Sequence, residues 1–529
     1  MEVVEIFVPL DESGEGDASS GETAPVLAAR AEQALGWPRG AAGEVRVVRR
    51  SLDARKKQAI GYRLRVEVAR KGETLARTAS DEIVAAPRWP AGRPPPRVVV
   101  VGAGPAGTWA ALRLVEAGIA PTIVELGKPV QPRRRDLALL TRGTLNPRSN
   151  YCFGEGGAGT YSDGKLYTRS KDRAGIAQVL ADLVRFGAPP EIEIESRPHV
   201  GSNRLPKVLD ALRAYLQSQG TTYCFETEVA GLRAEGGRLR ALRLAGGGEI
   251  EADAAVLAVG HSARPVYAWA AAAGIALERK GIAVGVRLEH PQTAIDAIQY
   301  GRAAGHPRLP AAFYELRGVG QDRGVYSFCM CPGGWIVPAA TEPDGVVVNG
   351  MSLSRRDSPF ANSGFVVTVE PPDFGADAEG ALAGVAFQRA IERAAFRAGG
   401  GSFRAPAQRL VDFLAGRSST SLSEASYRPG IVAADLREVF PPFVLEALRE
   451  GLRGISARVP GFLDDRAQLI GAETRTSAPV RIVRDPETLE SPSLRGLFPA
   501  GEGAGYAGGI VSAALDGARI ANRILTSFA

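Results

Sequence analysis

The stretch RVVVVGAGPAGTWAALRLVEAGIAPTIVE, residues 97–125, leaves the fewest folding choices of any segment in the chain. Four consecutive valines favour a buried strand, and Gly102, Gly104 and Gly107 break it into a turn. An apolar repeat of helical period follows, and a second short apolar run ends on Glu125. Strand, turn, helix and strand in that order make a βαβ unit. In a dinucleotide fingerprint the glycines have separate tasks: Gly102 allows the tight turn, Gly104 lets backbone approach a pyrophosphate, and Gly107 lets the helix pack close to the strand. Pro105 and Ala106 open the helix, whose positive end faces the phosphates. Glu125 is placed to accept hydrogen bonds from ribose hydroxyls.

The glycine spacing alone is a weak signal, since it recurs as GEGGAG at 154–159 and as GAGYAG at 503–508. Neither copy has both flanking elements: the first runs on into polar TYSDGKL, and too short a stretch follows the second for another strand and its acidic residue. The C-terminal copy carries different information. In FPAGEGAGYAGGIVSAALDG, Gly501 and Glu502 occupy a strand-to-helix turn, and Gly508, Gly509 and Ile510 open a helix expected over Gly509 to Leu525. A carboxylate there suits a ribityl hydroxyl, and the helix amides suit the pyrimidine edge of a reduced flavin. NAD has no ribityl chain, so the two motifs together favour FAD. Between them, short strands are expected around Tyr223 to Val229 and over Ala254 to Val259; Gly260 follows the second, and the backbone at Glu228 and Val229, which ends the first, is expected to meet the adenine edge.

With 45% hydrophobic and 23% charged residues the composition is that of a folded globular protein, and 529 residues suggest several domains. Residues 1–90 read as a small α+β unit with a polar Gly/Ser loop over Glu12 to Glu22, 97–285 as the first part of a nucleotide-binding domain, 286–465 as an insertion, and 466–529 as the return. The segment APRWPAGRPPPR, 86–97, cannot sustain helix or central strand and marks the first boundary. The fold class expected is α/β: a discontinuous Rossmann-like FAD-binding domain, an inserted mainly antiparallel substrate domain, and a small N-terminal α+β domain. Four cysteines are too few for a disulfide framework, the N-terminus lacks a signal peptide, and no apolar run reaches membrane-spanning length, so a soluble cytoplasmic protein is expected. A net charge of +6 does not demand a nucleic-acid partner. The basic run with Arg49, Arg50, Arg55, Lys56 and Lys57 nevertheless supplies a rival reading, a flavin-containing RNA-binding or RNA-modifying protein.

These segments, together with FGEGGAGTYSDGKL, RPHVGSNRL, LAVGHSARP, SFCMCPGGWIVPA and ETRTSAPVRIVRDPETLES, resemble the bacterial family of FAD-dependent dehydrogenases in the glutathione-reductase-like FAD superfamily. The resemblance covers nearly the whole chain. It implies bound FAD, a small N-terminal α+β domain, an inserted substrate-side domain, and a pyrophosphate contact from Arg133 in PRRRD. It also implies that Phe153 to Leu166 lines the flavin ring, with Gly156, Gly157 and Gly159 bringing amides close and Lys165 offering a cation. It assigns no reaction.

No catalytic residue stands out. The candidates are Lys165, His261, Cys329 and Cys331, with His290 and Arg287 as further groups for proton transfer. The spacing in Cys329-Met-Cys331 argues against a redox pair, since a ring closing both sulfurs is strained. Neither the cysteines nor the four histidines have metal-ligand spacing, so no metal is expected. The sequence therefore reads as an FAD-dependent oxidoreductase, dehydrogenase or reductase, passing hydride between flavin and a small-molecule substrate. With one complete fingerprint, NAD(P)H, where it serves as electron donor, binds transiently.

Overall fold

The computed structural model describes residues 1–12, 24–55, 59–75, 88–375 and 380–529. Its organising element is the four-valine strand Val98–Val101, in the middle of a five-stranded parallel sheet. The order is Leu497–Pro499, Ala254–Leu257, Val98–Val101, Thr122–Val124, Thr222–Cys224. Successive side chains on a strand point to opposite faces, and both faces of this strand are covered. Val98 and Val100 pack with residues of the helices Pro105–Glu116, Arg173–Arg185, Leu205–Ser218 and Ile510–Phe528. Val99 and Val101 pack with the helix Arg264–Ala272 and with a three-stranded antiparallel sheet, Val229–Glu235, Arg238–Leu244 and Glu249–Glu251. An all-apolar strand is thus the one a doubly covered sheet requires.

The sheet draws its edge strand, Leu497–Pro499, from more than two hundred residues beyond its neighbour Ala254–Leu257. Most of the intervening chain builds a seven-stranded sheet. Its order is Arg317–Gly320, Arg323–Cys331, Phe360–Val369, Ile282–Pro291, Gln468–Glu473, Ala405–Arg409, Ile431–Ala433. Every pairing is antiparallel except the last. The boundaries expected at 285/286 and 465/466 shift outward. Ile282–Pro291 and Gln468–Glu473 pair with each other at the centre of this sheet, so both belong to it.

Residue 229 corrects a second expectation. The strand expected through Tyr223 to Val229 divides: Thr222–Cys224 joins the parallel sheet, and Val229 opens the antiparallel one. The arginine-rich PRRRD lies on a helix, Val130–Leu140. The N-terminal unit is a three-stranded antiparallel sheet, Glu2–Pro9, Gly61–Arg70 and Ala42–Asp53 in that order, against the helix Ala24–Leu35. It is tied on by backbone hydrogen bonds from Arg50 N to Ile194 O at 2.7 Å and from Ser196 N to Arg50 O at 2.8 Å. The polar loop expected over Glu12 to Glu22 lies, beyond its first residue, outside the described residues. Among those described, no helix is long and apolar enough to cross a membrane.

Candidate functional site

A cavity of about 480 Å³ opens where four of the parallel strands end. Val101 and Val124 close their strands, Ala258 and Ala500 follow theirs, and all four line it. Crevices at the carboxyl ends of parallel strands are where such sheets hold ligands. The far wall belongs to the inserted domain, through Phe328, Cys329, Thr341, Asn349 and Arg475.

The fingerprint glycines divide as their tasks require. Gly102 has φ +104°, and a Cβ on it would stand 2.3 Å from Ala258 O. On Gly107 it would stand 2.0 Å from Gly102 O. The protein itself excludes side chains at both. At Gly104 a Cβ would meet only Gly157 Cα, at 3.9 Å, so this backbone is bare toward the cavity. Gly104 is also the uncapped N-terminus of Pro105–Glu116, whose first N–H groups have no intrahelical partners. The second uncapped N-terminus at the cavity is Gly509, at the head of Ile510–Phe528. The two helices cross so closely that a Cβ on Gly517 would stand 1.9 Å from Ala106 O.

Glu125 joins three segments. Its carboxylate accepts hydrogen bonds from Ala103 N at 2.8 Å, Gly127 N at 2.9 Å and Gly154 N at 2.9 Å, which docks the 153–166 loop on the fingerprint turn. Gly156 N completes the junction by donating to Ala103 O at 2.8 Å.

Of the residues expected to hold FAD, Gly102, Gly104, Pro105, Ala106 and Glu125 line the cavity at the fingerprint, and Gly157, Gly159 and Lys165 along the glycine loop. Val229, Gly260, Glu502, Gly509 and Ile510 complete the wall. Gly107, Gly156 and Gly501 stand behind it, and Gly508 lies apart from it. Gly156, at φ +75°, would put a Cβ 2.1 Å from Thr160 Oγ1, and Gly501 donates its N–H to Asp516 Oδ2 at 2.8 Å. Gly508 is exposed, and a Cβ there would lie 3.5 Å from Glu502 Oε1.

Arg133 departs from its expected place. It is fully buried beneath the glycine loop, donating to Asn150 O, Glu155 O and Gly157 O at 2.8, 2.8 and 2.9 Å, with its guanidinium 5.2 Å from the centre of the Tyr161 ring. Three carbonyls of one loop claim the cation that the sequence offers to a phosphate.

At the other end, His261 and Cys329 line the cavity, whereas Cys331 is buried behind it. Burial, with Arg475 and Arg264 nearby, pushes His261 down to about 4, so its ring is neutral at physiological pH. Glu502 is pushed up to about 7 by burial. His290 packs against Phe462 in the core, its Nε2 2.8 Å from Phe462 O, and Arg287 is buried beneath Cys329, so neither lines the cavity.

Sequence reasoning missed an ionic cluster on the wall. Glu392 accepts from Arg264 Nη2 at 2.8 Å and from Arg475 Nε and Nη2 at 3.1 and 3.0 Å. Arg264 also donates to Glu342 at 3.0 Å, and Arg475 to Thr341 Oγ1 at 2.7 Å. Although burial opposes ionisation, the two arginines hold Glu392 down at about 2. These residues come from four separate segments, and no local pattern links them. The N-terminal basic run is partly spent on ion pairs, Arg50 with Glu195 and Arg55 with Asp53 at 2.6 Å, while Lys56 and Lys57 lie outside the described residues.

Comparisons with known proteins find matches to two parts of the chain and to nearly its whole length. Residues 281–476 match the family described as FAD-dependent protein, C-terminal domain-like, and residues 3–69 match a domain of unknown function. An uncharacterized protein of Clostridium beijerinckii is 41% identical over 507 residues, spanning 91% of this chain and 92% of its own. Solved structures overlap loosely. CtdE in complex with FAD is 13% identical, covers 81% of this chain and 84% of its own, and has a TM-score of 0.34. A geranylgeranyl bacteriochlorophyll reductase-like protein of Thermoplasma acidophilum is 11% identical, covers 82% and 78%, and has a TM-score of 0.36.

Proposed function

The chain belongs to the family of the Clostridium beijerinckii protein and matches the C-terminal domain of FAD-dependent proteins, and from that premise we propose that it is an FAD-dependent oxidoreductase acting on a small organic molecule. The observation that carries this reading is the bare backbone at Gly104, facing Gly157 and set beside two uncapped helix N-termini. That cradle accepts a bulky anion and no side chain of its own.

When bound, FAD supplies a two-electron carrier that takes or gives a hydride. The rest of the work falls to the chain. The first amides of Pro105–Glu116 meet the pyrophosphate, and Glu125, held by three backbone N–H groups, accepts from the adenosine ribose. Thr227 to Val229 border the adenine, and Glu502 binds the ribityl chain. The amides at Gly509 and Ile510 offset negative charge on the reduced ring, and Lys165 adds a cation at the same end. The inserted domain forms the far wall of the cavity, so its wall residues would face the flavin ring and select the substrate. NAD(P)H is the candidate electron donor, bound transiently.

The visible spectrum of the purified protein, recorded before and after anaerobic addition of NADPH and then NADH, tests the reading. A flavin spectrum supports it, and bleaching by either nucleotide identifies the donor. A colourless protein that FAD does not reconstitute overturns it. Gly104→Val fills the cradle and is expected to lose the yellow colour while keeping wild-type far-ultraviolet circular dichroism; a fully yellow variant rules out the pyrophosphate assignment.

A further inference from the structure

Cys329 stands on the cavity wall in a backbone conformation that favours glycine, at φ +47°. The cause is local. Phe328 pairs with Gly364 and Cys331 with Asn362, so Arg323–Cys331 carries one more residue than Phe360–Val369 over this interval, and Cys329 lies in the resulting bulge. In an extended strand residues i and i+2 are about 6.6 Å apart, near the outer limit that a disulfide spans. The bulge departs from that spacing. The Cys331 thiol donates to Cys329 O at 3.3 Å, which holds the two residues together at the bulge.

Two cations, Lys165 and Arg287, stand close to the pair, each shared with other groups. Arg356 holds both oxygens of Asp163. Arg287 Nε is 3.2 Å from Glu473 Oε2, and the rest of that guanidinium donates to Cys329 O at 2.9 and 3.1 Å. Lys165 Nζ donates to Met330 O and stands 4.0 Å from Cys329 Sγ and 3.9 Å from Asp163. The neighbouring Cys331 side chain, with Lys165 and Arg287, holds the Cys329 thiol well below the usual range, and the same neighbour with burial pushes Cys331 well above it. Cys329 faces the cavity and Cys331 is buried behind it, so the first is the sulfur placed to react as a thiolate.

We propose that Cys329 and Cys331 form a two-electron redox pair that exchanges electrons with the flavin. In the oxidising direction the Cys329 thiolate and the Cys331 thiol form one S–S bond. Two electrons and the single thiol proton pass to oxidised FAD, giving the reduced anion FADH⁻, so charge and hydrogen balance. In the reverse direction the flavin returns both electrons, the S–S bond breaks, and one sulfur takes up the proton. The electron exchange rests on the FAD reading; formation of the disulfide does not.

Two measurements keep those apart. Protein stripped of cofactor is treated with diamide, alkylated and mapped by mass spectrometry. The expected product is a peptide containing Cys329 and Cys331 that has lost two hydrogens and takes no alkyl group; alkylation of both cysteines after treatment overturns the pair, whether or not FAD binds. The yellow protein, fully oxidised, is then titrated anaerobically with dithionite. Uptake of four electrons per flavin is expected, falling to two in Cys331→Ser, with a long-wavelength absorption in the two-electron-reduced wild type that Cys329→Ser lacks. Two electrons in wild type and variant alike overturn the exchange, and a protein that never binds FAD overturns the functional reading while the mapped disulfide still decides the pair.

Discussion

Replacing Glu392 by glutamine preserves the shape of the side chain and removes the charge that Arg264 and Arg475 share. Two buried cations are then left with Glu342 and Thr341 as their remaining partners in the cluster. Breaking a buried pair in this way costs about 3 to 5 kcal/mol, and Glu392→Gln is expected to lower the urea unfolding midpoint accordingly; an unchanged midpoint would show that the cluster is not a joint between the domains. Nothing in the sequence announced it, because 264, 342, 392 and 475 become neighbours only after both domains fold. The fingerprint was legible for the opposite reason. Gly102, Gly104 and Gly107 act within one turn, and their constraints are written in six consecutive residues. Arg133 marks the limit of reading charge as function: a guanidinium has five N–H groups, and here backbone carbonyls of its own protein occupy three of them.

The crossing of Pro105–Glu116 with Ile510–Phe528 aims both uncapped ends at the cavity. Its spacing depends on Gly517, where even a methyl group would run into Ala106 O. Gly517→Val is expected to push the helices apart, costing about 1 to 3 kcal/mol in thermal unfolding and weakening FAD retention in the same protein; full retention at a lowered melting temperature would separate the crossing from the site. Helices and strands of clear period were read well, since period is a local property. The strand expected through Tyr223 to Val229 was not, because an apolar run does not say where one sheet hands over to another. The boundary at 285/286 failed similarly: Ile282–Pro291 has buried residues at nine of ten positions, a run that suits the centre of either domain.

Across the whole molecule, buried carboxyls are shifted in both directions, and the signs fix a pH profile. Glu392 and Asp163 are held at about 2 by their cationic partners, so their stabilisation is complete above the ordinary carboxyl range and disappears as pH falls through it toward 2. Glu289, Glu155 and Glu502 are pushed up to about 7 by burial, and Glu473 to about 8. Their contribution is complete below the ordinary range and declines as pH rises toward 8. The stability of the cofactor-free protein is therefore expected to peak at about pH 5, read from urea midpoints between pH 3 and 9; a maximum above pH 7 would mean that these raised carboxyls are ionised in the fold. The same wide spacing that hides such couplings from sequence also sets an order of events in the cell. The cavity needs Gly102 from one end of its domain and Ala513 from the other, and at 5 to 20 residues per second a ribosome spends roughly 20 to 80 seconds between them. Through that interval the four-valine strand and its neighbours wait without their edge strand or the second helix, and the inserted sheet has time to fold first. A nascent chain stalled short of Ala513 would carry a recognisable fingerprint and no complete place to hold a nucleotide.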